Sequence, residues 1–500
     1  MTGLVGLIPR RRSARLGLAA AGGLLAAAGQ APLGAWWLAL PGYALGICVI
    51  AATRGWRRRA AAGWIFGAVF FSATMFWIVE PFMVEPERHG WMAPFALVFL
   101  SAGLALFWAL GGALSAAVGG GGPGVALALV AAEALRGHLF GGFPWALPSH
   151  VWVDTPVAQA ASVVGPWGLL FLTLGALGLP VTAPRPALAA VGVLALGAAL
   201  WLWGEARLGL PRPSPDDGRP IVRIVQPNAE QHLKWRPEHA TEYFARQLEL
   251  SRAPGPNGSR PDLVVWPETA IPWLLNDAEV PLEMMAAAAG APVAFGVQRR
   301  EGARYFNSLA VMGADGTVKA VYDKAHLVPF GEFVPLGDLA ARFGIHGLAA
   351  QEGAGYTPGP GPEILSVPGV GSFRPLVCYE AIFPAEVAAM PARPDFLLQV
   401  TNDGWFGRIA GPQQHLAQAR MRAIELGLPL VRAANTGISA VFGPKGEVLG
   451  MLGIGEVGHL DRALPRALPP TIYARVGDMP FWLVLGGCLV LAGAIRRKRH

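Results

Sequence analysis

Apolar residues run almost unbroken through long stretches of the first two hundred positions, then give way to short apolar runs divided by Gly, Pro and charged residues. A helix needs about 20 apolar residues to cross roughly 30 Å of hydrocarbon. Segments of that kind lie near 14–33, 35–53, 60–79, 91–117, 122–137, 157–181 and 186–204, with an eighth at 479–495. The pattern predicts a multi-pass α-helical membrane domain of about eight spans. The first run also fits a cleaved leader, because Arg10, Arg11 and Arg12 precede it, but a second apolar run follows almost at once and favours an anchor.

After a Pro-rich linker, "LPRPSPDDGRP" at 210–220, the periodicity changes. "IVRIVQPN", "DLVVWPET", "APVAFGVQ", "FRPLVCYE" and "DFLLQVTND" are brief runs rich in Val, Leu and Ile, each stopped by polar, Gly or Pro residues, and predict buried strands. Helical spacing recurs at 238–252, 281–290, 384–390 and 412–427, and "VFGPKGEVLG" at 441–450 predicts a hairpin. The expected organisation is a seven-span domain at 1–208, an α/β domain at 219–465 and a last span at 479–495. The α/β part reads as a layered sandwich of roughly 250 residues, an ordinary size for one domain.

Composition agrees with a membrane protein: 53% of residues are hydrophobic and 15% are charged. The charges that remain fix an orientation. Arg10 to Arg15, Arg54 to Arg59 and Arg496 to Arg499 flank the first, second and last apolar runs, which places all three clusters in the cytoplasm. Seven crossings from a cytoplasmic start leave residue 205 outside, so the α/β segment is expected to be extracytoplasmic and both termini cytoplasmic. The pI of about 9.6 then reflects orientation signals and lipid headgroups, since no nucleic-acid-reading motif is present.

Polar residues gather at the ends of the predicted strands, where open α/β folds place their sites. Glu268 follows Pro267; "YDKAHLVPFGEFVP" carries Lys324, His326 and Glu332; "LVCYE" carries Cys378; "VTNDGWFG" carries Asp403 and Trp405. Three cysteines and scattered histidines lack the paired spacing of a zinc site, and no Gly-rich phosphate loop precedes a helix, so neither metal nor cofactor is expected. A cysteine nucleophile needs a base for its proton and positive charge to hold the thiolate. Glu268 suits the first role and Lys324 the second, where it also steadies the oxyanion of acyl transfer. Taken singly, Cys378 fits a buried inert thiol, Glu268 a helix N-terminal carboxylate, Lys324 a surface cation and His326 a packed hydrogen-bonding residue.

Together, Glu268 in "WPE", Lys324 in "KAHLVPFGE" and Cys378 in "CYE" resemble the Glu-Lys-Cys triad of the nitrilase superfamily, in its chain order. "YDKAHLVPFGEFVPLG", "VTNDGWFG", "GPQQHLAQARMRAIELGLPLVRAANTGISA" and "QPNAEQHLKW" resemble its membrane-bound branch, the apolipoprotein N-acyltransferase family, as do Trp77 and "GGFPW" at 141–145. The resemblance implies an α-β-β-α sandwich on the periplasmic side of a bacterial inner membrane. It implies acyl transfer from a phospholipid, phosphatidylethanolamine by its sn-1 chain, through a cysteine thioester to the α-amino group of diacylglyceryl-cysteine at a lipoprotein N-terminus. By the same resemblance Glu332 positions Lys324 or assists as a second carboxylate, Glu380 supports the cysteine loop, and Trp235, Tyr379 and Trp405 shape the substrate pocket. Leu428 departs from the pattern, standing where a polar or basic residue is expected.

Two other classes share parts of this pattern: a membrane-tethered amidase acting on small amides, and a transporter with an outer domain. Transport paths are marked by intramembrane ionisable residues, and Glu133 is the main one deep within a run, which weighs against the transporter. A reporter active only outside the cytoplasm is expected to work when fused after about residue 210 and to be silent when fused after Arg499. The reverse pattern would overturn the orientation.

Overall fold

Buried polar contacts and small-residue helix crossings organise the first part of the chain. The computed structural model describes residues 3–210, 218–255, 258–334 and 355–497. Residues 211–217 of the linker, 335–337 of the "YDKAHLVPFGEFVPLG" motif and Lys498 and Arg499 lie outside the described residues. The chain divides into a mainly helical unit, Met1–Pro211 with Ile409–Glu425 and Pro470–His500, and an α/β unit, Arg212–Arg408 with Leu426–Pro469.

In the helical unit, helices occupy Arg12–Ala27, Trp36–Ala52, Trp56–Thr74, Ala93–Ser115, Gly122–Arg136, Ala161–Thr182, Pro186–Gly209 and Met479–Arg497, one in each expected span. Among the described residues, three helices are long and apolar enough to cross a membrane: Pro86–Ser115, Pro156–Thr182 and Pro186–Gly209. The pair Trp56–Thr74 and Phe76–Met83, bent by 46°, makes a fourth if it is one span. Length and composition therefore do not reproduce the count of eight. Several helices are shorter than their apolar runs, and the 15 residues of Gly122–Arg136 reach only about 22 Å at 1.5 Å per residue. Helices approach closely where a side chain is missing: a Cβ on Gly63 would lie 2.3 Å from the Trp108 carbonyl oxygen.

The helix Gly411–Leu426 lies between two strands in the chain, yet nearly all of it groups with the helical unit. Met421 and Ile424 pack in a buried cluster with Val153, Val157 and Leu169. Gln414 is a hub there. Its Oε1 accepts from the indole N–H groups of Trp77 (3.2 Å) and Trp145 (2.7 Å), and its Nε2 donates to the carbonyls of Ala31 and Thr74, both at 3.1 Å.

The α/β unit holds twelve strands: β1 (Ile221–Gln226), β2 (Leu263–Val265), β3 (Val293–Glu301), β4 (Arg304–Met312), β5 (Val318–Asp323), β6 (Leu365–Val367), β7 (Gly371–Val377), β8 (Phe396–Thr401), β9 (Leu430–Ala434), β10 (Ser439–Phe442), β11 (Val448–Leu452) and β12 (Gly458–Ala463). They form two six-stranded sheets, ordered β12-β1-β2-β3-β4-β5 and β11-β10-β9-β8-β7-β6. Each sheet has one antiparallel outer strand, then two parallel pairings, then two antiparallel ones. The parallel strands are mostly apolar and buried because both faces are covered, as in β8, where all six residues are buried. Ile224, Val265, Phe373, Val400 and Val431 fill the space between the sheets. The outer face of the first sheet packs Val225, Trp266 and Phe295 against Phe244 and Leu248 of the helix Pro237–Arg252 and Met285 of the helix Glu279–Ala289.

Replacing Gln414 by Leu leaves two buried indole donors without their acceptor, each costing about 1–3 kcal/mol. Thermal unfolding of the purified protein in detergent should then occur several degrees lower. An unchanged midpoint in Gln414→Leu would deny Gln414 this role.

Candidate active site

Cys378 directly follows β7 and begins a single 3-10 turn, Cys378–Ile382, with a φ of 50°. A non-glycine residue held there costs energy that its surroundings must offset. Glu380 supplies much of that support: its carboxylate accepts from the backbone N–H of Val377 (2.7 Å) on the cysteine strand, and from the Tyr322 hydroxyl (2.7 Å) and the Ala325 N–H (2.8 Å) on either side of Lys324. One buried carboxylate thus ties the cysteine turn to the lysine segment. The Cys378 carbonyl accepts from Gln399, whose side chain is held by Arg432, and Arg432 in turn pairs with Asp403 at 2.6 Å.

Glu268 sits just beyond β2, in a turn that presses on β3. A Cβ on Gly296 would lie 2.4 Å from the Glu268 Cα, so that approach requires glycine. The next residue, Thr269, has a φ of 46°. The Glu268 carboxylate accepts from Asn307 of β4 (2.7 Å) and from the Asn402 backbone N–H after β8 (2.8 Å). Lys324, following β5, lies 2.8 Å from Glu332 and 3.9 Å from Glu268, and Asn307 also donates to Glu332 at 2.9 Å. All of these side chains are buried.

Electrostatics follow from burial and this crowding. Burial, reinforced by Glu332, pushes the Glu268 carboxyl above its ordinary value even though Lys324 pulls it down. Burial works against the Lys324 ammonium, but Glu332, Glu268 and Cys378 outweigh it and hold its pKa above normal. The Cys378 thiol is pushed well up, first by burial and then by Glu268, with Lys324 acting in the opposite direction. At rest it carries its proton.

The structure therefore brings Glu268, Lys324, Glu332 and Cys378 together, with Glu380 bracing the cysteine turn. Tyr379 is buried and meets Phe383 edge-on at 5.0 Å. Trp235 is exposed and lines a recess with Lys234, Pro267 and Thr269, next to Glu268. Trp405 is half-buried on the turn after β8. The His326 ring lies 2.9 Å from Glu386, stacks on Phe383 at 3.8 Å and meets Tyr379 edge-on at 5.6 Å. Leu428 is fully buried, where an apolar side chain fits better than a charged one. Asn307 and Lys234 were not legible as site residues: β4 mixes Arg, Asn and Ser with its apolar positions, and Lys234 is one lysine in a polar loop. No group of His, Cys, Asp and Glu suited to a metal occurs among the described residues.

A two-sheet α/β unit with a Glu-Lys-Cys centre defines the class: the carbon-nitrogen hydrolase family matches residues 221–468. Residues 22–179 match the apolipoprotein N-acyltransferase N-terminal domain. The chain is 41% identical to an apolipoprotein N-acyltransferase of Bradyrhizobium diazoefficiens over 89% of its own length and 88% of that protein. It is 39% identical to one of Rhodopseudomonas palustris over 95% and 94%. A solved amidase from Nesterenkonia sp. is 22% identical over 55% of this chain and 98% of its own, with a TM-score of 0.39. The chain belongs to the apolipoprotein N-acyltransferase family and is an acyl-transferring enzyme.

Alkylation of Cys378 by iodoacetamide should climb with pH well past the ordinary thiol range of about 8.5. Lys324→Met should move the rise to higher pH and Glu268→Gln to lower pH, because the first removes a cation and the second an anion beside the thiolate. A plateau at neutral pH in the unmodified enzyme would contradict the thiol's environment as described.

Proposed function

We propose that the enzyme moves an acyl chain from a phospholipid to the α-amino group of an N-terminal diacylglyceryl-cysteine, by way of a thioester on Cys378. The observation that carries the reading is the convergence of Glu268, Lys324 and Cys378 in one buried cluster, in a chain whose other unit is built of apolar helices. As the sulfur attacks the ester carbonyl, Glu268 takes its proton and the Lys324 ammonium balances the oxyanion. Collapse of the tetrahedral intermediate breaks the ester C–O bond, and the proton on Glu268 passes to the departing lysophospholipid oxygen. The neutral acceptor amine then attacks the thioester, Glu268 removes the ammonium proton that forms, and the C–S bond breaks. Cys378 recovers its proton and the amide product leaves.

Further parts of the reading concern placement and donor. Residues 1–208 and 479–495 are membrane-spanning, about eight crossings in all, in a bacterial inner membrane. Residues 219–465 are the catalytic domain, on the periplasmic side. The basic clusters around Arg10, Arg54 and Arg496 support that orientation. The helix Pro186–Gly209 supports lipid contact, because it buries only Gly204 and exposes Leu188, Val191, Leu194 and Leu202. Both substrates are lipid-anchored, so an enzyme fixed in the bilayer spares them extraction into water. Phosphatidylethanolamine is the proposed donor. Trp235, Tyr379 and Trp405 are proposed to contact substrate, Glu332 to hold Lys324, and Glu380 to hold the cysteine turn.

Single-turnover acylation by phospholipid in detergent separates the roles. Cys378→Ala and Cys378→Ser should abolish it while the protein remains folded. Glu268→Gln should slow it by about 100- to 10,000-fold, with partial recovery at high pH where hydroxide supplies the thiolate. Lys324→Met should recover less, because its oxyanion remains unbalanced. Near-normal acylation in Glu268→Gln would place the base elsewhere, with Glu332 the next candidate.

A further inference from the structure

Lys234 follows β1, three residues before the helix Pro237–Arg252, and its side chain points inward instead of into solvent. Its ammonium donates to the Glu268 carbonyl oxygen at 3.1 Å and to the Thr269 hydroxyl at 2.7 Å. Those are the two residues of the turn that presses on Gly296, and Thr269 is the one with positive φ. An ammonium buried against a carbonyl and a hydroxyl is costly, and apolar packing would serve stability better. The location gives the cost a purpose, since the bonds fix the backbone that carries the proposed base.

We propose that Lys234 is a positioning residue for Glu268: it pins the Glu268-Thr269 turn that carries the carboxylate into the cluster with Lys324. The inference rests on the reading of Glu268 as the base. The charged and titratable groups facing the Glu268 carboxylate are Lys324, Glu332, Lys234, Cys378 and Tyr356. Of these Lys324 and Lys234 are the cations, and each lowers the Glu268 pKa, Lys324 more strongly. Burial brings the Lys234 pKa itself down to about 8, with Glu268 opposing. Removing Lys234 therefore has two separable effects: a less well-aimed base, and a base that ionises at higher pH.

The test is single-turnover acylation of Cys378 by phospholipid across pH in the full-length enzyme, for Lys234→Met, Lys234→Arg, Glu268→Gln and the Lys234→Met/Glu268→Gln pair. Lys234→Met should slow acylation by about 10- to 100-fold, the scale of a small misplacement of a reacting group. It should also move the acid limb of the profile to higher pH. Lys234→Arg, which keeps the charge, should leave that limb in place and restore part of the rate. In the Glu268→Gln background Lys234→Met should cost little more, because the group it positions is already disabled. Should Lys234→Met fail to accumulate, Lys234→Gln is read in its place, with the same shift of the limb expected. An unmoved acid limb, or an equal loss in both backgrounds, would overturn the proposal and reduce Lys234 to a packing element. Normal acylation in Glu268→Gln alone would instead overturn the assignment of the base, a result distinct from either.

Discussion

One buried ammonium shared by two carboxylates is the constraint on which the α/β unit is built. Lys324 lies 2.8 Å from Glu332 and 3.9 Å from Glu268, and each of the three ions costs several kcal/mol to remove from water. Mutual attraction alone does not offset this, because Lys324 is shared between the two anions and Lys234 adds only a weaker pull on Glu268. Fixed donors complete the balance: Asn307 reaches both carboxylates, Val328 N–H reaches Glu332 and Asn402 N–H reaches Glu268. Those groups come from β4 and from the segments that follow β2, β5 and β8, so the charge cluster exists only when both sheets are assembled. Asn402 is the link from the second sheet, and it holds the side chain whose turn is shaped by Gly296 in the first.

The same charges govern the thiol. Burial and Glu268 keep Cys378 protonated, which in the proposed reaction means that the nucleophile is made only as its proton leaves for Glu268. The positive φ of Cys378 would be wasted strain in an inert buried thiol. Here it turns the chain sharply at a strand end, and Glu380 fastens that turn to the residues flanking Lys324. Placement of Glu268, Lys324 and Cys378 is thus a property of three turns and the hydrogen bonds that lock them, with the strands serving as the frame.

Much of this was legible in the sequence wherever the signal was local. β1, β2, β3, β7 and β8 announced themselves as apolar runs with abrupt polar ends, and Glu268 and Cys378 were conspicuous because they stand at those ends. β4, β5, β9 and β12 were not read, since their inward positions alternate with Arg, Asn, Lys or Asp that long-range pairs satisfy, such as Arg223 with Asp461 across β1 and β12. Asn307 and Lys234 were hidden for the same reason: their meaning lies in partners 39 and 34 residues away. The helix Gly411–Leu426 was read correctly as a helix, but its periodicity could not say that Gln414 would be claimed by Trp77 and Trp145. The span count was less legible, because hydropathy measures apolar length, whereas helix length also depends on where turns begin; three helices among the described residues, or four with the bent pair, meet the length and composition of a crossing.

The most direct test of the central claim is the intact mass of the purified protein after incubation with phospholipid alone. The account predicts an added mass equal to one acyl chain, on the peptide that contains Cys378, cleaved by neutral hydroxylamine and discharged by a peptide bearing N-terminal diacylglyceryl-cysteine. No adduct on that peptide, together with continued transfer from phospholipid to the acceptor amine, would contradict the thioester and with it the role given to the buried centre.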